Sequence, residues 1–138
     1  AAGDRFPLAA SHEGGDDGVG PHVLPALPAP TAKAALQALL QLRRDGMCAP
    51  LLYGPYTAWT LYRAPAAKRE GEGWAQWHGG DRRWGEASGD AVQLALRGRD
   101  PFADADSYQQ LLHTSFVVFS AVREGRVFQG FSDEGAVA

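Results

Sequence analysis

Residues 31–52, TAKAALQALLQLRRDGMCAPLL, decide how this 138-residue chain is read. Ala32, Ala35, Leu36, Leu39 and Leu40 recur at the spacing of one helix face, so an amphipathic helix is predicted with that face inward. Pro30-Thr31 offers a start with Thr31 as the cap, Arg43 and Arg44 suit the negative end of the helix dipole, and Gly46 is placed to stop it. Beyond it, residues 50–55 form a short apolar segment fenced by prolines, expected to be extended and buried. Residues 56–62 read as a short helix carrying Trp59 inward and ended by Pro65. A helix over 66–80 is interrupted by Gly71 and Gly73, because glycine disfavours helix interiors. Residues 85–90 read as a loop whose last residue, Asp90, caps a short helix through Leu96. Asp100-Pro101 restarts the chain. Asp104 or Asp106 then caps a final helix with the stripe Tyr108, Leu112, Ser115, Phe116, Phe119 and Val122, and Gly125 is its stop.

Upstream of residue 31 the chemistry changes. Residues 1–30 are rich in proline and glycine and hold one basic side chain, Arg5, against four acidic ones, Asp4, Glu13, Asp16 and Asp17. Arg5-Phe6-Pro7-Leu8 and residues 19–27 look extended, with a turn-forming cluster over 12–18 between them. An irregular β-hairpin and a loose arm both fit, and Pro7, Pro21 and Pro25 would confine any strands to an edge. The expected organisation is a single domain over 1–138: an arm or hairpin over 1–30, a helical body over 31–125 and a C-terminal tail over 126–138. The fold class expected is α+β.

Composition narrows the function. A mass of 14.7 kDa is room for one domain, and 45% apolar content is ordinary for a globular one. Thirteen basic against sixteen acidic side chains give a net charge of −3, unlike a domain that lives by wrapping nucleic acid. No apolar run approaches a membrane span and no leader is visible, so a soluble, cytosolic domain without a membrane partner is expected. The lone Cys48 excludes a disulfide framework, and a start at Ala1 suggests a piece of something larger.

Chemistry-bearing motifs are sparse. A restriction-type nuclease needs an Asp and an acidic-x-Lys tripeptide to hold Mg²⁺, whereas the two lysines, Lys33 and Lys68, both follow alanine pairs or Thr-Ala. No Gly-Lys-Ser/Thr phosphate loop is present. Asp104-Ala105-Asp106 reads as a helix cap, the four histidines share no ligand spacing, and Cys48 reads as a buried structural thiol. No catalytic residue, cofactor or metal is expected. The segment 74–86, WAQWHGGDRRWGE, is the distinctive one. Its tryptophans and arginines are the types that stack on bases and pair with phosphates, and equally the types that anchor protein interfaces or fill a core. Candidate contacts with nucleic acid or a partner are Trp77, Arg82, Arg83, Trp84, Arg97 and Arg99.

Two blocks taken in order carry a family likeness. The first runs from Ala34 through Arg43-Arg44-Asp45-Gly46-Met47-Cys48-Ala49-Pro50-Leu51-Leu52 to Pro55 and Ala58-Trp59. The second runs from Trp84-Gly85-Glu86 through Arg97-Gly98-Arg99-Asp100-Pro101 into the last helix. Together, over roughly residues 30–125, they resemble the C-terminal region of the RecC family, the gamma chain of exodeoxyribonuclease V. The resemblance implies a degenerate restriction-endonuclease-like domain of the PD-(D/E)XK type, preceded by a small β-hairpin and stripped of metal ligands. It implies partners similar to RecB and RecD, DNA met through the parent complex, and a scaffolding role in double-strand-break repair and recombination. A single-stranded-DNA-contacting domain using residues 74–86 is the alternative.

Overall fold

The computed structural model describes the backbone of residues 8–12 and 20–24 and the whole of residues 26–131. Two five-residue strands, β1 (Leu8–His12) and β2 (Gly20–Leu24), pair antiparallel with Leu8 opposite Leu24. Five α-helices follow: α1 (Ala29–Cys48), α2 (Pro55–Arg63), α3 (Arg69–His78), α4 (Asp90–Leu96) and α5 (Ala105–Glu124), with a 3-10 turn at Glu86–Ser88 before α4. The body over 26–131 is 65% helix and contains no strand or sheet, which corrects the α+β expectation. Among the described residues no restriction-endonuclease-like fold is seen: ten paired residues build no layer for helices to cover, and with the 13–19 connection outside the described residues the strand pair does not establish the expected β-hairpin. Residues 1–7, with Arg5-Phe6-Pro7, and 132–138 of the expected tail also lie outside them.

α1 departs from its sequence reading at both ends and on its face. It starts at Ala29 with Pro28 as N-cap and Pro30 in the first turn, where a missing N–H leaves no bond unmade, so Thr31 lies inside the helix. Gly46 does not stop it. A Cβ at Gly46 would stand 3.2 Å from Leu51 Cδ1, so this glycine lets the chain fold back closely after Cys48. Against α5 the helix buries Ala35 and half-buries Leu39 and Leu42, whereas Leu36 and Leu40 face away. Adjacent residues differ by about 100° around a helix, and the small Ala35 is what permits the close approach to α5. Cys48 is exposed rather than buried, because it ends α1 beyond the part that packs.

The core lies around α5, which packs on both α1 and α2. Leu61, Leu111 and Leu112 form one buried cluster; Leu52, Trp77 and Leu96 form another; Phe102 packs against both. Ser115 is buried one turn after Leu111 and its Oγ donates to the Leu111 carbonyl at 2.6 Å. Val122, expected on the inner stripe, is half exposed, since the buried face continues through Ser120 and Ala121 instead. Gly73 turns out to be a contact point: a Cβ there would overlap Leu61, so α2 and α3 cross at that glycine. Asp104 caps α5, accepting from the Ser107 N–H at 2.8 Å, and Gly125 ends it at φ +62° with Leu27 packed where a Cβ would go. The chain after it folds back, setting Phe128 and Phe131 on Phe116 at centroid distances of 5.3 and 4.8 Å. No helix among the described residues is long and apolar enough to cross a membrane.

Candidate functional site

The tryptophan–arginine segment is held between α3 and the N-terminus of α2. α3 ends at His78, and Gly79 then takes φ +68°, with Arg83 and Gly85 backbone atoms standing where a side chain would be. Gly80 and Arg83 exchange backbone hydrogen bonds of 2.9 and 3.1 Å, closing a tight turn that projects Asp81 and Arg82 outward. Gly85 lies directly on the His78 carbonyl, which only a glycine tolerates. The next residue, Glu86, plunges inward.

Glu86 is 2% exposed, and its carboxylate caps a helix about thirty residues earlier in the chain. Tyr56 N–H donates to Oε1 at 3.1 Å and Thr57 N–H to Oε2 at 2.7 Å. These N–H groups belong to the second and third residues of α2, whose first residue, Pro55, has none, while Ala58 N–H bonds the Gly54 carbonyl. The two N–H groups that Pro55 leaves in the first turn are therefore satisfied, and the carboxylate meets the positive end of the dipole. Gly54 makes the approach possible, since a Cβ there would lie 2.5 Å from the carboxylate. Burial, and after it the Glu86 charge, pushes the Tyr53 phenol above its ordinary value. At the other end, Arg69 donates Nε to Leu61 O at 2.9 Å and Nη2 to Ala64 O at 3.3 Å while its guanidinium covers the Phe116 ring. Sequence reading missed both roles. The available signal was the Gly54-Pro55 start, a helix opening without a capping side chain of its own.

The candidate contact residues separate accordingly. Trp77 is buried among Leu52 and Leu96, so its ring is engaged by the core. Trp84 is exposed and meets Tyr56 edge-on at 5.6 Å, and Trp74, also exposed, lies over the His78 ring at 4.4 Å. Arg82 is exposed, and Arg83 donates Nη2 to Gln76 Oε1 at 2.7 Å. Arg97 ends α4 in the left-handed conformation at φ 51°. Arg99 borders a cleft of 210 Å³ floored by Trp77, Val92 and Leu96. At that cleft's edge His78 Nε2 stands 2.9 Å from Asp100 Oδ2 and Nδ1 stands 3.1 Å from Trp74 O, so both ring nitrogens are within hydrogen-bond distance of an oxygen.

Among the described residues no group of three or more His, Cys, Asp or Glu side chains could hold a metal. Asp104 is occupied as a cap: the N–H and hydroxyl of Ser107 hold its carboxyl below the ordinary carboxylate value. The arrangement has the chemistry of contact: rings and guanidinium groups displayed on a rigid turn.

These observations define a small helical module with an exposed aromatic and basic surface. Residues 7–66 match the family described as the RecC C-terminal domain, which supports a RecC C-terminal domain over that stretch. The matched stretch runs from the paired strands through α2 and includes Tyr56 and Thr57 but not Glu86. No curated protein and no solved structure matches the chain.

Proposed function

We propose that this chain is a non-catalytic assembly module, the C-terminal domain of a RecC-like gamma subunit, acting as one domain over residues 1–138. In this reading it holds RecB-like and RecD-like subunits together in the bacterial cytoplasm, in the helicase–nuclease that processes double-strand breaks for recombination. The family match over residues 7–66 carries the reading. Exposed large side chains on two sides, Leu36, Leu40 and Met47 on α1 and Tyr56, Trp74 and Trp84 around the α2–α3 end, support it as surfaces a partner would cover. The test is co-expression with RecB-like and RecD-like subunits from a bacterium that encodes all three. Co-elution at equal stoichiometry is expected, as is the absence of DNA cleavage by the chain alone in Mg²⁺ or Mn²⁺. Separate elution, or cleavage that persists through purification, overturns it.

A second reading rests on one observation: Trp84, Arg82, Arg97 and Arg99 are all exposed, and Trp74 with them. They would let the segment contact single-stranded DNA by stacking and phosphate pairing. Residues 63–99 carry only seven basic against five acidic side chains, so the phosphate count is small and the assembly role is favoured.

A further inference from the structure

α1 turns a second stripe away from the body. Leu36, Leu40 and Met47 are 60%, 52% and 73% exposed, and their spacing puts them within roughly 40° of one another along about 16 Å of axis. Lys33, Arg43 and Arg44 are exposed along the same side. The single acid of α1, Asp45, lies on the opposite side and accepts from Gln41 Nε2 at 2.9 Å. A narrow apolar stripe along a straight helix fits a second helix laid alongside it.

Charge selects what that helix is. A second copy of α1, laid parallel or antiparallel, would set these three cations against their own likes, which opposes self-association. A helix with carboxylates beside its apolar stripe gains in both respects. We propose that α1 docks an acidic amphipathic helix of a partner protein, its apolar stripe on Leu36, Leu40 and Met47 and its carboxylates toward Lys33, Arg43 and Arg44. This deepens the assembly reading and rests on it, naming the chemistry of the partner segment.

The test uses the whole chain and two labelled helical peptides of about 18 residues, long enough to hold helix when docked, alike except that one flanks its leucine stripe with Glu and the other with Lys. Fluorescence anisotropy should show the Glu peptide bound at least about tenfold more tightly, and Leu40→Asp should weaken it by about tenfold, the cost of losing one interface anchor. Arg43→Glu with Arg44→Glu should invert the preference. All three positions are exposed, and circular dichroism checks that each variant keeps its helix content. The proposal is overturned by equal affinity for both peptides, by no binding of the Glu peptide, or by an unchanged affinity in Leu40→Asp. It is also overturned if Leu40→Asp abolishes dimerisation of the chain or its binding to anionic vesicles, since a second copy or a membrane surface would then be the occupant. A chain that joins the RecB-like and RecD-like subunits yet ignores the Glu peptide keeps the assembly role and loses this face. One that binds the peptide as described but joins neither subunit keeps the face and loses the named complex.

Discussion

Replacing Glu86 separates a helix cap from a space filler. In Glu86→Ala the N–H groups of Tyr56 and Thr57 lose their acceptor, the second of them buried. Hydrogen bonds to a charged group contribute about 1.5–3 kcal/mol each, and deleting the carboxylate also removes the cost of its own burial. A net loss of about 2–4 kcal/mol follows, above the usual cost of a single lost N-cap. Glu86→Gln keeps the shape but turns an amide NH₂ toward one of the two N–H donors, so about 1–3 kcal/mol is expected. The sharper test is Gly54→Ser. In the native chain its Cβ would crowd the carboxylate at 2.5 Å and destabilise. In Glu86→Ala the same serine has room, and Gly54 already has the extended backbone of an N-cap, φ −136° and ψ 127°, so it should restore about 1 kcal/mol. Urea denaturation of the native chain, Glu86→Ala, Gly54→Ser and the double variant closes the cycle, with Glu86→Gln measured beside them. Native stability in Glu86→Gln, or an effect of Gly54→Ser with the same sign in both backgrounds, would refute the capping argument.

Leu111→Ala, at a fully buried position, should cost about 2–5 kcal/mol, whereas Leu36→Ala should stay within about 0.5 kcal/mol; thermal melts ranking them the other way would reverse the facing of α1. Asp104 has its carboxyl lowered by the N–H and hydroxyl of Ser107, so it adds stability above the ordinary carboxylate range and loses it as pH falls through the lowered value. Asp104→Asn keeps a capping oxygen and should flatten the drop in Tm below about pH 4; equal acid slopes in the two proteins would contradict this. Binding to single-stranded oligonucleotides should be no tighter than about 10⁻⁴ M at physiological salt, with a shallow salt slope. Tight, steeply salt-dependent binding lost in Arg82→Ala, Arg83→Ala and Trp84→Ala would instead establish the DNA-contacting role.

The long helices are legible in the sequence because their signals are local. Residues 31–48 and 105–124 carry unbroken apolar periodicity, and the Asp104 cap and Gly125 stop depend only on neighbours within a few residues. Which side of α1 faces inward is not local. Ala35 and Leu36 lie on adjacent stripes, hydrophobicity alone ranks Leu36 higher, and only the close approach of α5 selects alanine. An extended reading does not make a sheet for a related reason: the proline-fenced apolar segment 50–55 has no partner strand among the described residues and stays an irregular connection. At the candidate surface the clustering of tryptophan and arginine is visible in the sequence. That Trp77 turns into the core while Trp74 and Trp84 stay out depends on where Leu52 and Leu96 arrive.

The two-ended hold on α2 bears on how the protein is born. Nine residues are too few for a helix to persist alone in water, since nucleation costs more than so short a run of bonds returns. Synthesis delivers α2 before either of its caps: Arg69 comes six residues after its end, and Glu86 comes later still. A nascent chain ending anywhere before residue 86 should therefore leave the start of α2 frayed, however much of the family-matched stretch has emerged. Order along this region is thus acquired backwards, the later segment setting the earlier one. A boundary drawn by sequence similarity at residue 66 would cut a helix from the groups that hold both of its ends.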